Sequence, residues 1–75
     1  MRKLRPYGIY RPPGEMRPVY AVPAFGGYYL YDVEYGIRLP PRFEVKPEGG
    51  VESWHGEPVT WRADDLVDTG ETYRP

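Results

Sequence analysis

The chain of 75 residues has no cysteine, no asparagine and no glutamine, and it holds a single histidine. Without cysteine, neither a disulfide staple nor a thiolate zinc site is available. His55 alone rules out a site built on two imidazoles. No apolar run approaches the roughly 20 residues that a membrane-spanning helix needs. The first eight residues, Met1-Arg-Lys-Leu-Arg-Pro-Tyr-Gly8, begin basic but carry no apolar stretch, so no secretory signal is expected. The expectation is a soluble, cytoplasmic protein with no membrane partner. Lysine is scarce, two residues against eight arginines. Depleted amides and abundant proline match the pattern of heat-tolerant bacterial proteins, and a GC-rich genome gives the same bias.

What is present breaks the chain into short pieces. Ten prolines interrupt it every few residues, and no segment shows helical periodicity apart from one short turn near the end. Between the breaks lie runs rich in Val, Tyr, Trp and Phe, which are strand formers. Tyr7–Tyr10 reads as a short edge strand between prolines. Val19–Val22 and Tyr28–Glu34 read as a hairpin whose connection draws its positive φ from Gly26 and Gly27. Residues 36–41 read as a linker. Arg42–Lys46, Val51–Trp54 and Val59–Arg62 then read as a three-stranded meander with turns at Pro47–Gly50 and His55–Pro58. Residues 63–70 are expected to form one helical turn closed by Gly70, with Asp64 and Asp65 at its amino end. The tail 71–75 reads as extended.

The fold class expected is mostly β. It is a small antiparallel sheet or partly closed barrel of five or six short strands, of the size of SH3-like and oligonucleotide-binding barrels, with one short C-terminal helical turn. The whole of 1–75 is one domain, with a Pro/Arg-rich N-terminal arm over about residues 1–17. A chain this short buries only about 60–65% of its unfolded surface. Aromatic packing, prolines that stiffen the unfolded chain and self-association are the remaining aids to stability.

The most informative stretch is Phe25–Gly36, with five aromatic residues in twelve positions. As a strand it places Tyr29, Tyr31, Val33 and Tyr35 on one face, the expected core side. Tyr28, Leu30, Asp32 and Glu34 fall on the other, a half-aromatic, half-acidic face suited to an edge or a recognition surface. Within it, Leu30, Tyr31 and Asp32 are shared with the Ala-Leu-Tyr-Asp-Tyr opening of SH3 domains, which this stretch resembles. The later tryptophan and Pro-x-x-Tyr of that family have no counterpart here, and three shared letters assign nothing.

Several constellations carry chemistry elsewhere. Ser53 and His55 share a strand face, but neighbours on one strand do not point at each other, and no Gly-x-Ser-x-Gly elbow surrounds Ser53. Asp64, Asp65, Asp68 and Glu71 form the one carboxylate cluster, without the alternating spacing of a calcium loop. The pairs Gly26–Gly27 and Gly49–Gly50 lack the Lys-Ser/Thr and helix of a phosphate loop. No catalytic residue, metal ligand or cofactor site is expected, and the protein is read as no enzyme.

Charge is asymmetric. Residues 1–23 carry Arg2, Lys3, Arg5, Arg11 and Arg17 against Glu15, whereas seven acids face Arg62 and Arg74 over residues 47–75. Pairing between the two ends is the preferred reading. Composition favours a protein interface, since Tyr, Trp and Arg are hot-spot anchors and Lys is depleted there. Tyr28, Tyr29, Tyr31, Tyr35, Trp54 and Trp61 are the candidate contacts with a protein partner or a second copy. The alternative is a barrel that binds single-stranded nucleic acid through the interleaved Arg5, Tyr7, Tyr10, Arg11 and Arg17. Scarce lysine, slight net acidity and the absence of Asn and Gln place it second.

Overall fold

The computed structural model describes residues 3–75; Met1 and Arg2, part of the expected N-terminal arm, lie outside the described residues. Six strands are present: β1 Gly8–Arg11, β2 Val19–Ala24, β3 Gly27–Asp32, β4 Phe43–Val45, β5 Val51–Ser53 and β6 Val67–Thr72. All pair antiparallel in one open sheet of order β5-β4-β3-β2-β1-β6. The mostly β architecture expected from the proline spacing is thus present, as an open sheet with β5 and β6 at its edges. Helix is confined to single 3-10 turns at Gly36–Arg38 and Ala63–Asp65. Among the described residues, no helix is long and apolar enough to cross a membrane.

The core lies on one face of the sheet. Val19 and Ala21 from β2, Leu30 from β3 and Val45 from β4 are all at most 1% exposed. Leu4, Ala63 and Leu66 close over them from outside the strands, and Val59 and Trp61 pack against the cluster. The pairings Ala21↔Leu30 and Leu30↔Phe43 put these residues in one row across three strands. The face of β3 that carries Leu30 is therefore the buried one. This reverses the expectation for Phe25–Gly36: Tyr28, Leu30 and Asp32 face the core, while Tyr29 and Tyr31 face outward. Compact aliphatic residues interdigitate in one row, while half-buried tyrosines keep their polar hydroxyls near water.

Three further expectations are corrected. The first strand is not an edge: β1 lies between β2 and β6, because the chain after Leu66 continues as a strand instead of a helical turn. Only Ala63–Asp65 turns, with the Arg62 amide donating to the Asp65 carboxylate at 2.8 Å. Val59–Arg62 adds no strand to the meander and touches the sheet through one bridge, Gly50↔Arg62. Pro58 lacks a ladder donor, and Val59 and Trp61 are drawn across the core face.

The β2–β3 hairpin closes on a two-residue turn, Phe25–Gly26, between the paired Ala24 and Gly27. Both turn residues have positive φ, 50° and 83°, the type I′ geometry that matches strand twist. Positive φ therefore comes from Phe25 and Gly26, not from the glycine pair. Gly27 serves a different purpose: a Cβ there would lie 2.0 Å from the Val45 carbonyl oxygen. Only glycine allows β4 to approach β3 this closely.

Candidate functional site

On the outward face the strand registers bring a second set of side chains together. Ile9↔Tyr20 and Tyr20↔Tyr31 run across β1, β2 and β3, and Val22↔Tyr29 lies beside them. Tyr20 is the hub. Its ring stacks on Tyr73 at 3.8 Å between centroids and 1° between planes, on Tyr31 at 5.6 Å and beside Tyr7 at 6.1 Å. Tyr73 follows β6 and folds back over the sheet, its amide donating to the Tyr7 carbonyl at 2.7 Å. Gly36 makes room for it, since a Cβ there would meet the Tyr73 hydroxyl at 2.9 Å. Burial, reinforced by the Tyr73 hydroxyl alongside, pushes the Tyr20 phenol up to about 12. At the other side of the face Trp54 stands edge-on to Tyr29, 5.6 Å between centroids. Trp54, Tyr7 and Ile37 remain exposed around this aromatic field.

A polar corner adjoins it. Asp32, at the end of β3, is only 6% exposed, and its carboxylate accepts the amides of Glu34 at 2.8 Å and Tyr35 at 3.3 Å. The Arg17 guanidinium lies 3.2 Å from it and 2.6 Å from Glu34. Burial alone would raise the Asp32 carboxyl, but the two amides and Arg17 outweigh it and hold its pKa below the ordinary value. Arg17 also lies over the Tyr35 ring at 5.1 Å, and Arg38 approaches the same ring at 6.0 Å. Tyr35 is 40% exposed, an aromatic plate that two guanidinium groups approach.

The six candidate contact residues therefore separate. Tyr29, Tyr31 and Trp54 meet on the outward face, and Tyr35 sits at the Arg17 corner. Tyr28 and Trp61 pack on the core side, Tyr28 accepting a hydrogen bond from the Leu4 amide at 3.2 Å and Trp61 standing edge-on to Phe43 at 5.0 Å. Tyr20 and Tyr73 were missed by the sequence reading. The distant register that stacks them has no local signature, although Tyr20 on a Val-Tyr-Ala-Val strand necessarily faces away from Val19 and Ala21.

The basic set separates too. Arg5 forms a two-pronged contact with Asp68, 2.9 Å and 2.7 Å, and also reaches Thr72 and the Glu71 carbonyl. Arg17 is held by Asp32 and Glu34, Tyr10 is buried, and Arg11 is exposed. Two of the three arginines, Arg5 and Arg17, are thus already engaged by acids of the same chain. The expected pairing between the ends of the chain is present in Arg5–Asp68.

A groove of about 640 Å³ lies at the end of the sheet where β3 stops and β4 begins. Phe43 and Trp61 line it with Met16 and Leu39, and Ser53, His55 and Glu57 share its wall. The Ser53 hydroxyl accepts the His55 amide at 3.3 Å, a local turn contact rather than a nucleophile held on an imidazole. Among the described residues, no three His, Cys, Asp or Glu side chains gather to hold a metal. The carboxylate cluster is dispersed, with Asp65 on the Arg62 amide and Asp68 on Arg5.

Comparison of the chain with protein-family models, with curated proteins and with solved structures gives no match.

Proposed function

We propose that this chain is a non-catalytic, cytoplasmic interaction module that docks on a protein partner through the outward Tyr/Trp/Arg face. The observation that carries this reading is the aromatic field itself. Tyr7, Tyr31 and Tyr73 gather around Tyr20, Tyr29 and Trp54 pair beside them, and the face lies opposite the core. Tyrosines fixed by stacking lose little side-chain freedom on binding, and Trp54, 44% exposed, is the type of residue that anchors an interface. Tyr35, flanked by Arg17 and Arg38, supplies a polar rim of the kind that surrounds such anchors.

The test is capture from the host's lysate on the immobilised full chain, at low and high salt, with and without nuclease. A protein retained at high salt after nuclease, and lost with Trp54→Ala, supports the reading. Recovery that disappears with nuclease or salt supports nucleic acid instead, because phosphate contacts weaken steeply with salt.

A further inference from the structure

Strand β6 completes the sheet but takes no part in its hydrophobic cluster. Five of its six residues are exposed, and the cluster is closed by Leu4, Ala63 and Leu66, which lie outside it. The strand pairs with β1 alone, in a register that slips between Gly8 and Tyr10. Its side-chain ties lie near the surface. Arg5 meets Asp68 with side chains 39% and 34% exposed, and the Thr69 hydroxyl donates to the Ile9 carbonyl at 2.7 Å. Exposed ion pairs and one ladder hold an element weakly against the rest of a fold.

What fixes the segment is one ring just past the strand. Tyr73 lies on Tyr20 at 3.8 Å, and its amide donates to the Tyr7 carbonyl at 2.7 Å. The place it fills is shaped for a phenol. Tyr20 is a flat floor, against which Tyr7 and Tyr31 also stand. Gly36, buried and at a φ of 56°, leaves room for the hydroxyl, which a Cβ would meet at 2.9 Å. A cavity of about 240 Å³ opens beside the ring, lined also by Val22, Tyr31 and the exposed Ile37. Segment 67–75 therefore covers two features that peptide-binding domains use, a strand edge on β1 and an aromatic side-chain slot.

We propose that Val67–Pro75 is a displaceable strap, and that the docking partner replaces it with an extended segment of its own, paired with β1 and laying a tyrosine ring on Tyr20. This rests on the docking reading and names the partner's chemistry at that face. The segment seated there shows what the site accepts: a strand antiparallel to β1 and, one residue past it, a phenol ring. With the strap closed the site is occupied by its own chain. The apparent affinity for a partner is then reduced by the fraction of chains that are open. Weakening the strap tightens binding without adding a contact.

The probe is a synthetic peptide with the sequence of residues 67–75, beside a control peptide with alanine in place of its tyrosine. Each is titrated into the isotope-labelled full chain and followed by NMR. Tyr73→Ala stays folded and binds the tyrosine peptide about tenfold or more tighter than the parent, with shifts at Tyr10, Tyr20 and Tyr31. The control peptide binds neither chain. In the parent, β6 amides exchange with solvent about a hundredfold or more faster than those of β2 and β3, through local opening. A Tyr73→Ala chain that does not fold overturns the inference, because the rest of the sheet must stand without that ring. So does a folded variant that binds the peptide no better than the parent, a control peptide that binds equally, or β6 amides that exchange only with global unfolding. Capture of a lysate protein that depends on Trp54 yet is equal for parent and Tyr73→Ala overturns the strap alone. Capture indifferent to Trp54 contradicts the docking reading, and the peptide titration, which needs no partner, tells the two failures apart.

Discussion

Tyr73 lies flat on Tyr20, with ring centroids 3.8 Å apart and planes 1° from parallel. The contact joins the segment after the last strand to the middle of the sheet, and it leaves Tyr20 only 1% exposed on the face that does not hold the aliphatic core. The sheet is thus covered on both sides, by loop residues on one and by tyrosines on the other. Removing the cover is expected to be costly. Tyr73→Ala lowers stability by about 1–3 kcal/mol, from lost apolar burial and lost ring stacking. Tyr73→Phe keeps the ring and costs about 0.5–1.5 kcal/mol. Urea unfolding followed by tyrosine fluorescence separates the two.

Alkaline pH tests the burial of Tyr20 directly. Its phenol is raised to about 12 in the folded chain, against an ordinary value of 10.0. The folded state therefore holds a proton that the unfolded state gives up first. This contribution to stability is full below about pH 10 and is lost as pH rises toward 12. Absorbance titration at the tyrosinate band is expected to show one late-ionising group that Tyr20→Phe removes.

Acid acts on the opposite corner with the opposite sign. The Asp32 carboxyl is depressed below 3.8 because the Glu34 and Tyr35 amides and Arg17 outweigh its burial. Its contribution is present above the unfolded value and is lost as pH falls through the lower folded one. Asp32→Asn leaves the Arg17 and Arg42 guanidinium groups without their shared carboxylate, at a cost of about 1–3 kcal/mol. The stability difference between parent and variant is expected to shrink as pH falls below the ordinary carboxyl value of 3.8 and the folded-state carboxylate takes up its proton.

Gly27, against which the β4 backbone lies, is a fourth target. Gly27→Ala drives a methyl group against the Val45 carbonyl, which cannot swing aside as a side-chain end would. The expected loss is about 3 kcal/mol, the upper end for overpacking. Thermal unfolding shows it as a large drop in Tm. Gly14→Ala, where a Cβ would meet nothing within 4 Å, serves as the comparison and costs only the strain of its φ of 82°.

The β class, the two hairpins and the Arg-to-acid pairing of the chain ends were all legible in the sequence, because each depends on local signals. Proline spacing sets strand length, glycine marks turns, and opposite charges at the termini attract. The orientation of β3 was not legible. Tyr28–Glu34 alternates two faces that are both partly apolar, and only the rows formed with Ala21 and Phe43 decide which is inside. The fate of residues 59–72 was hidden for a related reason. Val59 and Trp61 have strand composition but serve as a lid on the core, while Val67–Thr72 looks polar and still completes the sheet beside β1. Phe25 escaped notice because the glycine pair beside it offered a simpler source of positive φ.

The proposed docking role requires the outward aromatic face, not the N-terminal arginines, to make the functional contact. The most direct test measures the affinity of the captured partner for Trp54→Ala and Arg11→Ala side by side, at two salt concentrations. Docking through this face gives a loss of about thirtyfold or more for Trp54→Ala, corresponding to about 2 kcal/mol, and little change for Arg11→Ala at either salt. Affinity that tracks Arg11 and salt while ignoring Trp54 would contradict it.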